Sequence, residues 1–523
     1  MDLGTVQSRT AERYPDLRAV GGPVPLTHRE WDARTDRLAR VLAAHGAGRG
    51  DRVALLMGGG EPLAGLHLAA QKIGAVSVPL SFRLGPEELA YCLADARPAL
   101  LVTDAATEAT ADAAGLRAAV PRLHSAAGGP PGAPPPPGTV EHEAQAQPDG
   151  PLGVAVGDDD LSVMLYTSGT TGRPKGVPRT HRAEHSSAVA HLLQTRPGPF
   201  SRTLGVMPMF HTMGLRTLLA CLVGAGTWVP QTRFDAEESL ELIHRERVDS
   251  LYLVPTVYWS LLRTGRLHEA ASVRSLAYAG AAMTPALAQG LVEALEPAAF
   301  VNHFGSTEIY TFSIGPDVAA KPGSAGRAGV FGRVRLVSPQ PGASAEDEVE
   351  RGRTGQIAVS MDNPEAFGGY WQRPDADAAS IRGGWYFPGD LAVQDEDGDL
   401  WVSGRVDDMI NSGGENIYPD EIEDALIRCP AVAEVAVAGL PDDRWGQAAT
   451  AFVVPRTGTS AQDAVDEVVG YLRADSGLAS LKRPKRVVAV AEIPKSAVGK
   501  LLRRRLTAGD FRALAEASTE RGR

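Results

Sequence analysis

The sequence has few cysteines, no excess of positive charge and no long apolar run. Its three cysteines, Cys92, Cys221 and Cys429, form neither a disulfide framework nor a cluster with zinc spacing, which favours a reducing compartment. Lys and Arg number 52 against 63 Asp and Glu, which argues against a dedicated nucleic-acid-binding protein. The longest apolar stretch, 215–230, is too short to span a bilayer. Residues 1–18 lack the apolar core of a secretory signal, so we expect a cytoplasmic protein.

What is present is a large chain with regular α/β patterning. The 523 residues are 43% hydrophobic, enough for a sizeable core in more than one domain. Strand-like apolar runs such as 52–57 and 99–102 alternate with amphipathic segments such as 27–46, which predicts an α/β fold with a largely parallel sheet. The proline-rich region at about 125–150 predicts an exposed loop. A new alternation after residue 405 predicts a small C-terminal domain of roughly 115 residues.

Hydroxyls and glycines are concentrated in residues 166–176, with the sequence Tyr-Thr-Ser-Gly-Thr-Thr-Gly-Arg-Pro-Lys-Gly, which directly follow a strand-like run. Glycines let backbone N–H groups approach an anion, hydroxyls donate further hydrogen bonds, and Lys175 adds positive charge. This phosphate loop therefore predicts a cradle for a polyphosphate. It is not a Walker loop, because the GxxxxGK[ST] spacing is absent.

The phosphate loop resembles the signature of the adenylate-forming superfamily, which contains acyl-CoA synthetases, nonribosomal adenylation domains and luciferases. Five further motifs follow in the family's order: PMFH at 208–211, HFGSTE at 303–308, GWYFPGD at 384–390, GRVDDMINSGGENIYP at 404–419 and PKSAVGK at 494–500. The stretches 444–447 and 482–486 are most similar to those of chlorobenzoate:CoA ligase and other aryl-CoA ligases.

The resemblance implies an α/β fold in two domains. The large N-terminal domain, 1–404, would contain sheets packed with helices and a distorted β-barrel-like part. A hinge at 405–408, with Asp407 as its pivot, would connect it to a small, mobile α+β C-terminal domain at 409–523.

The resemblance also implies an ATP-dependent carboxylic acid:CoA ligase, with an aromatic, benzoate-like acid as the expected substrate. The carboxylate would attack the α-phosphate of ATP to give acyl-AMP and pyrophosphate. Coenzyme A (CoA) would then displace AMP after the small domain rotates. A carboxylate is already ionised at neutral pH, so the first step needs charge neutralisation and alignment rather than a general base.

Candidate residues for ATP, Mg²⁺ and catalysis follow from matches to the family's motifs. Lys500 resembles the catalytic lysine that bridges the carboxylate and the α-phosphate. Glu308 resembles the magnesium ligand, Thr307 resembles a phosphate contact, and Asp390 would accept both ribose hydroxyls. The other candidates for binding the nucleotide are Thr167, Ser168, Gly169, Thr170, Thr171, Gly172, Lys175, Gly280, Asn302, Phe304, Gly305, Ser306 and Arg405.

The acid and CoA sites are implied in the same way. His211 would help orient the carboxylate, and His303 occupies a position that is apolar in the chlorobenzoate enzyme, so we expect a polar group on the substrate ring. The acid pocket would be formed by His211, Thr212, Met213, Tyr252, Gly280, His303, Gly305, Tyr310 and Thr311. The CoA candidates are Arg83, Gly413, Gly414, Trp445, Arg483 and Lys485.

Three alternatives stay open. They are an aliphatic acyl-CoA synthetase of the same fold, a freestanding adenylation enzyme that loads a carrier protein, and a nucleotide-binding regulator without activity. Arg83, Trp445 and the basic run 482–486 favour free CoA over a carrier protein. We expect no nucleic-acid partner and no membrane span, and the sequence leaves a homodimer open.

Overall fold

The computed structural model describes the chain except residues 116–119, 168–172, 413–414, 443–445, 475–477, 479–481, 496–500 and 520–523. The chain divides into two compact units. The first unit contains residues 1–335, 358–386 and 397–400, and the second contains 336–357, 387–396 and 401–523. Both units mix strands and helices, and the predicted α/β class is confirmed. The domain boundaries at 404 and 409 stay a prediction.

Many helices of the first unit begin behind a hydroxyl cap or at a proline. Thr27 and Glu30 form the predicted capping box, each side chain bonded to the other's backbone, at the start of the second helix. The helices within residues 1–335 are α1 (Leu3–Arg13), α2 (His28–Ala44), α3 (Glu61–Lys72), α4 (Pro86–Ala96), α5 (Glu108–Ala113), α6 (Val140–Gln145), α7 (His181–Thr195), α8 (Thr212–Val223), α9 (Ala236–Glu246), α10 (Pro255–Arg263) and α11 (Pro285–Leu295), with a 3₁₀ turn at Leu267–Glu269.

The strands of this unit form two sheets with parallel centres. The strands within residues 1–335 are β1 (Arg18–Val20), β2 (Leu26–Thr27), β3 (Arg52–Leu56), β4 (Val76–Leu80), β5 (Leu100–Thr103), β6 (Arg122–His124), β7 (Leu161–Thr167), β8 (Lys175–Thr180), β9 (Arg202–Gly205), β10 (Thr227–Pro230), β11 (Ser250–Leu253), β12 (Ser275–Tyr278), β13 (Ala299–Phe304), β14 (Ser313–Gly315) and β15 (Arg327–Ala328). One sheet has the order β6-β5-β3-β4-β7-β8, and the other β15-β14-β13-β12-β11-β9-β10-β1-β2.

The sheet order places the predicted site residues at strand ends. In the first sheet, β7 and β8 are antiparallel, and Thr167 pairs with Lys175 at the two ends of the phosphate loop. In the second sheet, β11, β12 and β13 are adjacent and parallel, so their carboxyl ends meet at one edge. Open α/β sheets bind ligands at such edges.

The predicted loop at 125–150 is too long. Thr139 accepts a hydrogen bond from the N–H of His142 and so begins α6. Val140 and Ala144 on α6 are buried in the hydrophobic core that α2 and α3 also line. No helix or strand forms at 125–139. The prolines before Val140 favoured a loop, so the predicted loop extended over the short helix Val140–Gln145.

Residues 334–523 contain short strands followed by a compact α+β fold. Within the first unit, Tyr386 pairs with Val359 and Trp385 pairs with Ser360. Within the second unit, Leu391 pairs with Gln356 and Ala392 pairs with Gly355. The elements are β16 (Val334–Val337), β17 (Gly355–Ser360), α12 (Pro374–Ser380), β18 (Ile381–Arg382), β19 (Trp385–Tyr386), β20 (Asp390–Gln394), β21 (Leu400–Arg405), a 3₁₀ turn at Val406–Asp408, β22 (Ile410–Ser412), β23 (Glu415–Ile417), α13 (Pro419–Leu426), β24 (Val432–Asp442), β25 (Gly446–Pro455), α14 (Ala461–Ala474), β26 (Arg486–Val490), α15 (Arg503–Thr507) and β27 (Ala513–Ser518).

The second unit has its own core. The long antiparallel pair β24–β25 continues through a parallel β25–β26 pair to an antiparallel β27. Its apolar side chains pack against α13 and α14. Among the residues that the structure describes, every helix is too short or too polar to cross a membrane.

Candidate functional site

The two ends of the phosphate loop lie side by side. The Thr167 hydroxyl is 3.5 Å from the Lys175 carbonyl oxygen, and Lys175 Nζ lies 4.2 Å from the centroid of the Tyr370 ring. Ser168, Gly169, Thr170, Thr171 and Gly172 fall outside the described residues. The lysine expected to contact phosphates is thus held at the end of β8 beside an aromatic face.

Tyr370 connects the phosphate loop to Glu308. The Tyr370 hydroxyl donates a hydrogen bond of 2.6 Å to Glu308 Oε1. Burial, followed by the neighbouring Glu308 carboxylate, raises the pKa of Tyr370, so the phenol stays protonated and acts as a donor. The structure therefore brings together Lys175, predicted from one motif, and Glu308, predicted from another. Sequence reasoning missed Tyr370, whose only signal is the Gly-Gly-Tyr-Trp stretch.

The surroundings of Glu308 suit a hard divalent cation. Its carboxylate is buried, and one oxygen accepts the Tyr370 bond. None of the described residues donates to its other oxygen, Oε2. Mg²⁺ prefers oxygen ligands and is usually bound by one or two carboxylates together with substrate phosphates. Glu308 therefore fits the predicted role of metal ligand, with the nucleotide supplying the other oxygens.

A tight turn follows β13 and contains several of the residues predicted to bind the nucleotide. The Ser306 N–H donates to the Ile309 carbonyl, and Ser306 Oγ accepts the N–H of Glu308. At Gly305 only glycine fits, because a Cβ would lie 2.2 Å from the Tyr310 carbonyl oxygen. Phe304 packs edge-on against the Phe312 ring at 5.3 Å.

The Asn302 side chain makes a hydrogen bond within the protein. Its amide nitrogen donates 2.7 Å to the Ser324 carbonyl, so part of its donor capacity is used within the protein. Gly280, two residues after β12, has a φ of +87°, a conformation that favours glycine. The contacts of both residues with a nucleotide stay predictions.

Three of the predicted acid-pocket residues lie together. Met213 and Tyr252 belong to one buried apolar cluster with Ala277, Val301 and Ile314. The His303 ring centroid is 5.2 Å from that of Tyr252. His191, which the sequence analysis missed, packs at 4.8 Å from Tyr252 and 5.3 Å from His303.

The other pocket candidates have different surroundings. His211 is the residue immediately before α8, which begins at Thr212, and its ring packs against Phe210 at 4.7 Å. Tyr310 is buried, with the Arg179 guanidinium 3.6 Å from its ring centroid. Thr311 is buried and donates to Glu365. A contact of these residues with an acid stays a prediction.

Arg216 makes a buried polar network behind these residues. Its guanidinium donates 2.9 Å to Ser187 Oγ, 2.6 Å to Thr311 Oγ1 and 2.7 Å to Glu365 Oε2. It also lies 3.2 Å from His303 Nδ1. Since a guanidinium only donates, Nδ1 accepts and the neutral ring carries its proton on Nε2. Burial, then the Arg216 charge, keeps the pKa of His303 well below its ordinary value.

Arg179 is another buried arginine. It is fully buried on β8, forms an ion pair with Glu184 and donates to the carbonyl oxygens of Thr307, Glu308 and Glu365. Sequence reasoning missed both arginines. The only signal of Arg216 was that it interrupts an apolar run, and Arg179 had none.

Two nucleotide candidates lie together in the second unit. Arg405 donates 2.6 Å to Asp390 Oδ1 and 2.8 Å to the Pro388 carbonyl. Asp407 is exposed in the 3₁₀ turn Val406–Asp408. Lys500 lies outside the described residues.

The CoA candidates are distributed over both units. Arg83, in the first unit, is exposed with its guanidinium 5.4 Å from the Phe82 ring centroid. In the second unit, Arg483 donates to the Leu478 carbonyl, and the Lys485 N–H bonds to the Ala449 carbonyl. Gly413, Gly414 and Trp445 are outside the described part of the chain.

Comparison with known proteins bears out the family resemblance. A family profile described as AMP-binding enzyme matches residues 8–371, and its C-terminal domain profile matches 421–500. A feruloyl-CoA synthase from Amycolatopsis sp. is 37% identical over 508 residues, which cover 96% of this chain and 97% of that protein.

Other similar proteins differ in the acid that their names specify. A long-chain-fatty-acid–CoA ligase from Mycobacterium tuberculosis is 34% identical, covering 96% of this chain and 97% of its own. A 4-chlorobenzoate–CoA ligase from Arthrobacter sp. is 33% identical, covering 95% and 93%. The structure of o-succinylbenzoate CoA synthetase from Bacillus subtilis, bound to its acyl-adenylate, has a TM-score of 0.82 at 28% identity, covering 96% and 97%.

Proposed function

The chain belongs to the AMP-binding enzyme family, and we propose that it is an ATP-dependent ligase that converts an aromatic carboxylic acid to its CoA thioester. The observation that carries the proposal is the grouping of Lys175, Tyr370 and Glu308 beside the phosphate loop. Lys175 contacts the face of the Tyr370 ring, and the hydroxyl of the same ring donates to the Glu308 carboxylate. A cation and a carboxylate linked in this way suit a metal-bound polyphosphate.

In the first half-reaction, the protein brings together two anions that repel each other. Thr167 and Lys175 bind the β- and γ-phosphates, and Asp390, paired with Arg405, binds the ribose. Glu308 would hold Mg²⁺, which would supply positive charge that offsets the phosphates. Lys500 bridges the acid carboxylate and the α-phosphate and lowers the charge that builds in the transition state. No general base is needed.

The second half-reaction uses a thiol to displace AMP. The C-terminal domain rotates about Asp407, which removes Lys500 and brings residues that bind CoA to the site. Arg83, Arg483 and Lys485 bind the CoA phosphates. A carrier-protein phosphopantetheine arm is the alternative thiol donor.

An aromatic acid is supported by the names of two relatives and by the buried rings of Tyr252, His191 and His303. The polar edge of His303 favours a ring with a hydrogen-bonding substituent. The relative named for long-chain fatty acids supports a second candidate, an aliphatic acid.

Acid-dependent exchange of labelled pyrophosphate into ATP tests the proposal without assuming a thiol. The panel contains benzoate, hydroxy- and aminobenzoates, feruloyl-type acids and fatty acids, each with wild type and His303→Ala. We expect substituted aromatic acids to give the fastest exchange and His303→Ala to lose that preference. Fastest exchange with fatty acids supports the second candidate. A preference for unsubstituted benzoate in both proteins contradicts the role of His303.

The thiol is identified in a second assay. Wild type receives ATP and the best acid with either CoA or a phosphopantetheinylated carrier protein. We expect thioester formation with CoA, and formation with the carrier protein alone would contradict that part of the proposal.

A further inference from the structure

Arg179 occupies a position where a charge is costly. It lies on β8, four residues after Lys175, and is fully buried. Burying a guanidinium costs several kcal/mol unless it is paired and hydrogen-bonded. Here Glu184 supplies the counter-charge, and the Tyr310 ring lies 3.6 Å from the guanidinium carbon. Glu184 offsets the charge, and the Tyr310 ring adds a cation–π contact. Neither contact accounts for the hydrogen bonds that Arg179 Nη1 donates.

The remaining hydrogen bonds converge on the segment that carries Glu308. Arg179 Nη1 is 3.2 Å from the Thr307 carbonyl oxygen, 3.1 Å from that of Glu308 and 2.9 Å from that of Glu365. The Phe367 N–H also donates 2.9 Å to the Glu308 carbonyl. The main chain at 307–308 is therefore held by donors from β8 and from the segment around Phe367.

The main chain at Glu308 determines where its carboxylate can lie. The Tyr370 hydroxyl fixes one carboxylate oxygen at 2.6 Å, and Arg179 fixes the carbonyl oxygen of the same residue. Because β8 begins at Lys175, one rigid strand carries both the cation expected to contact phosphate and the guanidinium that holds Glu308.

We infer that Arg179 is a positioning residue that sets the affinity for a divalent cation bound together with ATP, by holding the main chain of Thr307 and Glu308 in register with Lys175. This inference rests on the proposed function, in which Glu308 is the metal ligand. Arg179 touches neither substrate nor metal in this account. Groups that orient metal ligands typically change metal affinity by about 10- to 100-fold when they are removed.

The test separates positioning from general stability. Arg179→Met/Glu184→Gln removes the guanidinium without leaving Glu184 as an unpaired buried charge. Glu184→Gln alone keeps Arg179 and its carbonyl bonds but removes its counter-charge. It is the matched control for the second substitution, and the loss of stability expected from it is measured separately by urea unfolding. Arg179→Lys is a third variant in case the double variant does not fold, because an ammonium can still donate to one of the three carbonyl oxygens but lacks the fork of a guanidinium.

The first readout is binding rather than turnover. Mn²⁺ is titrated, with electron paramagnetic resonance detection, into each folded protein saturated with a non-hydrolysable ATP analogue. We expect the Mn²⁺ dissociation constant to rise about 10-fold or more in the double variant, less in Arg179→Lys, and to stay within about 2-fold of wild type in Glu184→Gln. Binding of the analogue without a cation should stay within about 2-fold of wild type in all three variants.

The outcomes distinguish this inference from the proposed function. Wild-type Mn²⁺ affinity in the folded Arg179 variants overturns the inference, and so does an equal loss of cation-free nucleotide binding, which would indicate a merely structural role. If the Mn²⁺ titrations give the expected results but wild type activates no acid, the inference stands and the proposed function is overturned. Wild type that binds no Mn²⁺ with the analogue overturns both.

Discussion

Removing one partner of the Arg216–Glu365 ion pair should destabilise the first unit strongly. Arg216 Nη2 lies 2.7 Å from Glu365 Oε2, and both side chains are 1% exposed. A single substitution, Arg216→Met or Glu365→Gln, leaves the other group buried without its partner, which costs about 3–5 kcal/mol. The double variant leaves no unpaired charge, so its loss should be smaller than the sum of the single losses by about 2 kcal/mol.

Urea unfolding monitored by tryptophan fluorescence measures these free energies. Arg37→Met is the control, because the side chains of Arg37 and its partner Asp149 are 33% and 62% exposed and the pair should contribute less than about 1 kcal/mol. Single losses as small as that of the control, or a double loss equal to the sum of the single losses, would refute the description of a coupled buried pair.

Arg216→Met should also change which ring nitrogen of His303 carries the proton. In wild type, the donor Arg216 faces Nδ1, so the proton is on Nε2. Without Arg216 that preference is lost, and the Nδ1–H form should appear. Nitrogen chemical shifts of the labelled histidine ring, assigned with His303→Ala, report the tautomer. A wild-type ring protonated on Nδ1 would refute the geometry.

Three further predictions follow from the site and from the buried histidines. Tyr370→Phe removes the donor to Glu308 and should weaken Mg²⁺–ATP binding about 10-fold, measured by calorimetry, with acid binding unchanged. Burial lowers the pKa of His191 to about 3, so the unfolded chain binds a proton that the folded chain does not, and stability falls as pH drops below 6.5. His191→Gln should therefore remove about 2 kcal/mol of the stability loss between pH 7 and pH 5, and an unchanged pH dependence of unfolding contradicts this. Lys500→Ala should abolish acyl-AMP formation yet still convert supplied acyl-AMP and CoA to thioester, and full retention of the first step contradicts the role of Lys500.

Local patterns in the sequence predicted much of the fold. The capping box at Thr27 and Glu30 depends on residues three apart, and α2 begins there as expected. The prediction failed at 140–145, where α6 forms because Thr139 caps it and α2 covers it. A short helix that is stabilised mainly by packing against a distant element has little local signal.

The same distinction applies to the candidate site. Lys175 and Glu308 were predicted from motifs, but Tyr370, which contacts both, was not. The hydrogen bond from Tyr370 to Glu308 joins residues 62 positions apart. The pairing of Arg216 with Glu365 spans 149 positions. Such partners depend on the tertiary fold, so no spacing rule reveals them. Lys500 and the centre of the phosphate loop are outside the described residues, and their roles stay predictions.

The most direct measurement of the central claim is the release of AMP and pyrophosphate from ATP by the purified protein with Mg²⁺ and a panel of organic acids. We expect release that depends on an acid, is fastest with a substituted aromatic acid and yields a thioester once CoA is added. If no acid in the panel causes AMP to form, the protein is not the ligase proposed.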